Sequence, residues 1–297
     1  KMLILKAALL IFACVALINA DCQTSVVVGS VSVGGVNNST YIVQSGGNNG
    51  KVKVSGSLVV TQHLQRFYIA EKCVNSFEPD MFLGLQLLGK TLSYTVDLSQ
   101  AGCACNAALY LVKMPAIGTN GQPDATKCKD YYCDANNVCG ELCPEMDVME
   151  ANTHAFQVTP HSCGAPSNGH YYNCDGGGCS QSSRNQGNAY GPGGNYQIDT
   201  TQSFDVSTQF QTDGSGQLST IITTLRQSGK SISFNHNSGN CGGLASMTEA
   251  FRAGMVLTVS YWGDKASTMS WLDIPPCDYN TDCNINTSVT FSNIQVN

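Results

Sequence analysis

Apolar and polar side chains alternate along much of this chain, and this alternation limits the folds that the chain can adopt. Residues 92–98 read Leu-Ser-Tyr-Thr-Val-Asp-Leu, which places all four apolar side chains on one face of an extended segment. Residues 204–210 alternate in the same way. A period of two predicts β-strands with one buried face. We predict further strands at residues 51–62, 107–113, 145–151, 219–225, 231–235, 255–261 and 288–296.

One segment departs from the strand pattern. Residues 244–253 have helical spacing, with Leu244, Met247 and Phe251 on one stripe and Gly254 as the stop. The many strands and glycine-rich turns predict an all-β fold, a jelly-roll sandwich of two curved antiparallel sheets with a concave substrate cleft. We find no linker, repeat or shift in composition, so we expect one domain over residues 21–297 and no carbohydrate-binding module.

The first twenty residues have the composition of a secretory signal peptide. Lys1 and Lys6 supply the positive charge, residues 7–18 are apolar, and Ala20 stands at the predicted cleavage site. The apolar run is too short for a membrane span, and no later segment resembles one. The sequence therefore predicts a secreted, extracellular protein without a membrane partner.

Cysteine usage and charge agree with this location. Of fifteen cysteines, Cys14 lies in the predicted signal, and the even number that remains fits as many as seven disulfides. The run of four cysteines over residues 128–143 fits no zinc-finger spacing, so we expect bridges and no metal site. Asn37, Asn38 and Asn286 begin glycosylation sequons. A net charge of −6 argues against nucleic acid and favours a neutral ligand.

Three carboxylates fall within six residues of one predicted strand. Glu145 and Asp147 project from the same face of that strand, whereas Glu150 joins them only if a bulge absorbs one residue. Two carboxyl groups about 5 Å apart are typical of retaining glycosidases, and a wider pair indicates inversion. A solvated acidic edge or a calcium site is the alternative that spacing alone leaves open.

Ordered motifs surround these acids on both sides. They are residues 106–110 and 132–134 upstream, and residues 159–163, 254–262, 270–273 and 289–294 downstream. In this order, from about Arg66 to Ile294, the chain resembles glycoside hydrolase family 7, secreted cellulases with a concanavalin A-like sandwich. Family 16 shares the Glu-x-Asp-x-x-Glu strand and a similar fold, but the flanking motifs favour family 7.

The resemblance implies a role for each acid. Glu145 would be the nucleophile and Glu150 the acid/base in hydrolysis of β-1,4-glucosidic bonds, with Asp147 orienting Glu145. His161 would contact the sugar on the leaving side or bond within the acidic cluster, and a structural histidine beside Cys163 is the alternative. No cofactor is implied.

The resemblance also implies a set of substrate contacts. Trp262 would stack on a sugar before the cleaved bond and Trp271 after it, although tryptophans in a sandwich usually pack in the core. The remaining predicted contacts are Tyr110, Asn106, Tyr132 and Asp134 near the nucleophile, Arg66 on the non-reducing side and Arg184 on the product side.

The loops that close a tunnel in some members of that family are short in this chain. Only nine residues separate Cys133 from Cys143, which favours an open cleft and cleavage within the polymer. We expect a monomer that acts on cellulose-like β-glucan. A carbohydrate-binding protein without catalysis, or a hydrolase of another β-linked glucan such as β-1,3-glucan, remains the alternative.

Overall fold

The computed structural model describes residues 22–46 and 50–297 of the chain. The predicted signal peptide, residues 1–20, lies outside the described residues. Within the described residues, neither α-helix has the length and apolar composition that a membrane crossing requires.

The larger of the two main sheets in the described ranges has nine strands, and all of its paired strands are antiparallel. The strands run β1-β2-β5-β17-β8-β9-β10-β11 across the sheet, and β6 pairs with β17. Their bounds are β1 Val27–Ser30, β2 Tyr41–Ser45, β5 Gln65–Ala70, β6 Gly84–Leu85, β8 Cys105–Val112, β9 Glu145–Ala151, β10 Phe156–His161, β11 Gln181–Ser182 and β17 Met255–Gly263.

The smaller sheet has seven strands in the part of the chain that the structure describes, in the order β16-β15-β14-β7-β18-β4-β3. Their bounds are β3 Lys53–Ser55, β4 Leu58–Gln62, β7 Thr91–Asp97, β14 Phe204–Thr212, β15 Leu218–Gln227, β16 Lys230–Asn237 and β18 Ser288–Val296. A short parallel pair is formed by β12 Tyr190–Gly191 and β13 Ile198–Asp199.

The predicted sandwich of antiparallel sheets is confirmed, two local predictions need correction, and one helix was missed. The strand predicted at residues 51–62 is a hairpin, because Gly56 turns the chain with a φ of +62°. The predicted helix at residues 244–253 begins as a 3-10 turn, Leu244–Met247, and becomes α-helix α1 only at Thr248–Ala253. A second helix, α2 Ala266–Asp273, was not predicted.

The two faces of the larger sheet are both covered. One face contributes to the core between the sheets, where Phe156 of β10 stacks on Phe234 of β16 with ring centroids 5.5 Å apart. The other face carries a second apolar cluster that includes Tyr68, Tyr110 and Tyr132. The strands β8, β9 and β10 are therefore buried at nearly every position, whereas β7 alternates between buried and half-buried positions.

Seven disulfides join cysteines within the described residues, as predicted. Two of them tie the loop that follows α2 to the start of β8, and two others cross-link residues 128–143 beside β9. The pairs are Cys22–Cys73, Cys103–Cys277, Cys105–Cys283, Cys128–Cys139, Cys133–Cys143, Cys163–Cys174 and Cys179–Cys241.

Candidate active site

The strand β9 contains the bulge that the spacing of its acids requires. Opposite β8, Met149 pairs with Leu109 and Asp147 with Tyr110, which leaves Val148 without a partner in the ladder. The register against β10 shifts at the same place. This extra residue changes the alternation, so Glu150 faces the same side of the sheet as Glu145 and Asp147.

The predicted site residues surround a single cavity of about 590 Å³ on the face of the larger sheet away from the core. Those that line it are Arg66, Tyr110, Tyr132, Asp134, Glu145, Asp147, Glu150, His161, Arg184, Trp262 and Trp271. The cross-strand register places Asp147 between Tyr110 and Thr159, and Glu150 between Ala108 and Gln157. The sheet thus brings together residues that are far apart in the sequence.

The three acids of β9 are held where ionisation is costly. Burial raises the pKa of Glu145 well above its usual range, and the nearby Asp147 and Asp134 add to the effect. Burial, and to a smaller extent the charge of Asp134, raises the pKa of Asp147 to about 8. Burial, and to a smaller extent the charge of Asp147, raises the pKa of Glu150 to about 8. Carboxyl groups in this arrangement ionise one after another rather than together.

His161 contacts the middle acid of the cluster. Its Nε2 lies 3.0 Å from Oδ2 of Asp147, and its Nδ1 lies 2.7 Å from the backbone oxygen of Asp175. A carbonyl oxygen only accepts, so Nδ1 must carry a hydrogen. Nε2 then either donates to an ionised Asp147 or accepts from a protonated one. In both states His161 and Asp147 share one proton.

A glycine turn holds the ring of His161 in place. Oδ1 of Asp175 accepts hydrogen bonds from the backbone N–H groups of Gly177 and Gly178. Gly178 has a φ of +60°, and a Cβ there would lie 2.8 Å from the His161 ring. Only glycine therefore permits this close approach without displacing the ring.

Asn106 lies behind Glu150 and not in the cleft wall, which corrects the predicted placement near Glu145. It is fully buried and does not line the cavity. Its Nδ2 donates to Oε1 of Glu150 at 2.9 Å, and its Oδ1 accepts from the backbone N–H of Ala151 at 3.1 Å. This hydrogen bond favours the ionised form of Glu150 and partly opposes the effect of burial on its pKa.

The opposite acid, Glu145, is fixed by the loop that precedes β9. Its Oε2 accepts from the backbone N–H of Ala135 at 3.0 Å. Asp134 lies next to Ala135, and its Oδ1 accepts from the backbone N–H of Val138 at 3.0 Å. The Cys133–Cys143 disulfide closes this loop onto the start of β9. Glu145 and Glu150 thus have different hydrogen-bond partners.

An arginine and two tyrosines form one wall of the cavity. The guanidinium carbon of Arg66 lies 3.9 Å from the centroid of the Tyr132 ring, which is cation–π geometry. The hydroxyl groups of Tyr110 and Tyr132 are 3.2 Å apart. These contacts order polar groups that point into the cavity.

The two tryptophans have exposures of 37% for Trp262 and 38% for Trp271, so neither is a core side chain. Trp262 comes from β17, opposite Asn106 on β8. Trp271 comes from the unpredicted helix α2. Both line the cavity, and a half-exposed indole face is the surface on which a sugar ring stacks.

Arg184 binds protein groups as well as lining the cavity. Its Nη1 donates to the backbone oxygen of Ile274 at 2.8 Å and to that of Ser270 at 3.4 Å. Both oxygens belong to the end of α2, where a positive charge is favourable. The guanidinium therefore supports the helix that carries Trp271.

Several residues that line the cavity were not predicted. Gln157 and Thr159 occupy alternate positions of β10 that lead to His161, and this polar alternation in the sequence is the signal that identifies them. The glycine turn and the tip of the 133–143 loop have no comparable signal. The remaining unpredicted residues are Ala108, Asn136, Val138, Gly176, Gly177, Ser180 and Ser260.

The cluster also has the composition of a cation site. Glu145, Asp147 and His161 offer ligand atoms within 4.8 Å of one another. Oε2 of Glu145 and the facing atoms of Asp147 and His161 already have hydrogen-bond or ion-pair partners. The geometry is accounted for by these protein contacts. Cys103, His154 and Cys277 also lie close together, but the two cysteines form a disulfide.

Comparison with known sequences identifies the family. The profile of glycosyl hydrolase family 7 matches residues 18–139, 119–240 and 233–296. The chain belongs to glycosyl hydrolase family 7.

Curated relatives of this family member are fungal endoglucanases. Endoglucanase EG-1 of Hypocrea jecorina is 35% identical over 255 residues, which cover 72% of this chain and 54% of that protein. Endoglucanase type C of Fusarium oxysporum is 29% identical over 318 residues, which cover 84% of this chain and 72% of that protein. The match spans about half the length of EG-1.

Solved structures share the fold. An endoglucanase I complexed with cellobiose has a TM-score of 0.69 and 28% identity, over 82% of this chain and 77% of that chain. A family 7 cellobiohydrolase from Daphnia pulex has a TM-score of 0.67 and 19% identity, over 92% of this chain and 96% of that chain. The second likeness shows the jelly-roll fold alone.

Proposed function

We propose that this protein is a secreted, retaining endo-β-1,4-glucanase that degrades cellulose-like glucans. The observation that carries the proposal is the bulged strand β9, which directs Glu145, Asp147 and Glu150 into one cavity. Family membership and the endoglucanases among its relatives support the substrate class.

Glu145 acts as the nucleophile on the anomeric carbon, and Glu150 donates a proton to the departing glycosidic oxygen. Water then enters, Glu150 accepts its proton, and the glycosyl–Glu145 bond breaks with overall retention. The charge of Asp147 disfavours ionisation of both Glu145 and Glu150, so the three acids do not all carry a charge together. The backbone N–H of Ala135 favours the charged form of Glu145.

Asp147 and His161 share a proton close to the two reacting acids. When the shared proton lies on Asp147, the negative charge that raises the pKa of Glu145 and Glu150 is removed. Asp147 therefore adjusts the acidity of its neighbours and does not itself contact the reacting carbon.

The walls of the cavity suit an uncharged polymer. Trp262 and Trp271 supply faces for sugar rings, and Arg66 with Tyr132 supplies donors for hydroxyl groups. Val138, in the middle of the short loop between Cys133 and Cys143, lines the cavity and is 67% exposed. An open cavity of this kind admits an internal stretch of glucan, which supports endo action.

Secretion is supported by the seven disulfides of the described residues, because such bridges persist in oxidising compartments. Acidic residues outnumber basic ones and the net charge is −6, which agrees with a neutral substrate. We propose that the protein acts as a monomer outside the cell.

Release of reducing sugar from carboxymethyl cellulose and mixed-linkage glucan tests the proposal. We expect Glu145→Gln to lower kcat by roughly 10⁴-fold or more, and Glu150→Gln by about 10²–10⁴-fold. Asp205→Asn removes an exposed acid of the smaller sheet and serves as the matched control, with activity unchanged.

The stereochemistry and the product sizes complete the test. NMR of the first products should show the β-anomer, and viscosity should fall faster than reducing ends appear. Oligosaccharide binding without hydrolysis would instead favour a carbohydrate-binding protein, and activity confined to β-1,3-glucan would reject the proposed linkage.

A further inference from the structure

A buried hydrogen bond joins the end of the acid-bearing strand to the end of the helix that carries Trp271. Asn152 directly follows β9, and Asp273 is the last residue of α2. Both side chains have an exposure of 0%. Nδ2 of Asn152 donates to Oδ2 of Asp273 at 2.7 Å, and the backbone N–H of Ala104 donates to the same oxygen at 2.8 Å.

Asn152 is a rigid partner for Asp273. Its Oδ1 accepts from the backbone N–H groups of His154 and Ala155, and its Nδ2 also donates to the backbone oxygen of Cys105. A buried carboxylate is costly unless it is hydrogen-bonded, so Asp273 is stable only when it meets these donors. The position of the helix end is thereby linked to the position of the strand end.

The linked ends lie next to groups that face the cavity. Glu150 precedes Asn152 by two residues, and Trp271 precedes Asp273 by two residues. The helix α2 has eight residues, and a helix of this length depends on contacts with the rest of the protein. Arg184 binds the last turn of α2 from another direction, and the Cys103–Cys277 disulfide follows it.

We infer that Asp273 is a positioning residue that fixes the indole of Trp271 relative to Glu150. The inference rests on the proposed function, in which the sugar on Trp271 must lie at a set distance from the acid. Glu150 has its own hydrogen bond from Asn106 and stays in place when Asp273 is removed. Loss of Asp273 should therefore weaken substrate binding more than it slows the chemical step.

Tryptophan fluorescence measures the placement of Trp271 directly. The chain has two tryptophans, so in a Trp262→Phe background Trp271 is the single emitter. We expect Asp273→Ala to increase quenching of Trp271 by acrylamide about twofold, because a helix end released from the core opens more often. Thr208→Ala is the matched control, since it removes a buried 2.9 Å hydrogen bond to Thr223 in the smaller sheet and should leave quenching unchanged.

Kinetics with Trp262 intact separate positioning from a general loss of stability. With cellotetraose, Asp273→Ala should raise KM about fivefold, within the range for a lost aromatic contact, while kcat changes less than about twofold. Asp273→Asn keeps an oxygen that accepts from Ala104 and Asn152, so its KM should stay near that of the unaltered protein. Thr208→Ala should leave KM unchanged.

Equal quenching and equal KM in Asp273→Ala and Thr208→Ala would overturn the inference and leave Asp273 with a structural role only. If Asp273→Ala does not fold, Asn152→Ser keeps a side-chain oxygen that can accept from the backbone N–H groups of His154 and Ala155 but shortens the side chain away from Asp273, and it should change quenching and KM in the same direction. Failure of the unaltered protein to hydrolyse any glucan or bind cellotetraose would reject the proposed function. The acrylamide comparison would still decide whether Asp273 positions Trp271.

Discussion

The two sheets of the sandwich differ in what they bury. The smaller sheet alternates, as in β14, where Phe204, Val206, Thr208 and Phe210 are buried and the side chains between them are exposed or half-buried. The larger sheet is buried on both faces along β8, β9 and β10, and its second face carries Glu145, Asp147 and His161. Continuous burial in an antiparallel strand therefore marks a face that is covered by something other than the core.

The difference shows that the residues that stabilise the fold and the acids of the candidate site lie on opposite faces of the larger sheet. Apolar residues between the sheets stabilise the fold, whereas the acids on the second face are held under conditions that disfavour their charge. Changes between the sheets should reduce stability with little specific effect on catalysis. Changes on the second face should do the reverse.

The largest expected effect is on the core side. Phe234→Ala removes a fully buried ring of the smaller sheet that stacks on Phe156. We expect the free energy of unfolding to fall by about 3–5 kcal/mol because a cavity remains. Chemical denaturation measures this loss. Well below the melting temperature, kcat should stay within about threefold of the original value, and a larger drop would contradict the separation of the faces.

Glu150→Gln should stabilise the protein at alkaline pH. Glu150 ionises only near pH 8 in the folded state, but an unfolded chain ionises it near its ordinary pKa of 4.5. The carboxyl group therefore costs stability as pH rises from about 4.5 towards 8, and glutamine removes that cost. We expect a gain of at most about 4 kcal/mol at pH 8 and none at pH 4.

Unfolding by urea at the two pH values measures the difference. Asp205→Asn, an exposed acid of the smaller sheet, is the control and should show no such dependence. A Glu150→Gln protein that is less stable than the original at pH 8 would contradict the inferred cost of the site.

His236 of the smaller sheet should give the opposite pH dependence. Burial lowers its pKa to about 4, and the nearby backbone groups of Cys179 and Val158 only partly oppose this. The unfolded chain binds the proton first, so stability falls as pH drops from about 6.5 to 4. In His236→Gln the loss between pH 7.5 and 5 should be smaller by about 2 kcal/mol, measured by denaturation at both values. An unchanged loss would show that His236 does not contribute.

The smallest expected effect concerns Asn106. Removal of its hydrogen bond in Asn106→Ala should raise the pKa of Glu150 further, because the bond favours the ionised carboxylate. The basic limb of the pH–rate profile should move to higher pH by about one unit, the value of one charge-assisted hydrogen bond. A shift to lower pH would mean that Asn106 stabilises the protonated acid.

Sequence patterns predict the two sheets unequally. Alternation identifies β7 and β14 because only one face of each strand is fully buried. The spacing of the three acids also indicates the bulge in β9. Local pattern does not predict the helix α2, because five of the eight residues in Ala-Ser-Thr-Met-Ser-Trp-Leu-Asp are weaker helix formers and no side chain caps the helix. The helix is stabilised by tertiary contacts such as the hydrogen bond between Asn152 and Asp273, and the local sequence pattern does not reveal contacts of this kind.

The candidate site shows the same division. The acids and tryptophans stand out by residue type, and the structure brings them to one cavity. The family resemblance of residues 106–110 implies a cleft position for Asn106, yet its amide lies behind Glu150 and donates to it. The glycine turn at Gly178 became visible only through its distance to the His161 ring.

The bulge at Val148 has a consequence for protein engineering. Glu150 lies five positions after Glu145, and in a regular strand an odd interval places two side chains on opposite faces. If residues 145–150 were transplanted into a regular strand without a bulge, Glu145 and Asp147 would lie on one face of the sheet and Glu150 on the opposite face. Deletion of Val148 from the native chain would instead shorten the interval between Glu145 and Glu150 to four positions, so a regular ladder would keep all three acids on the cavity face.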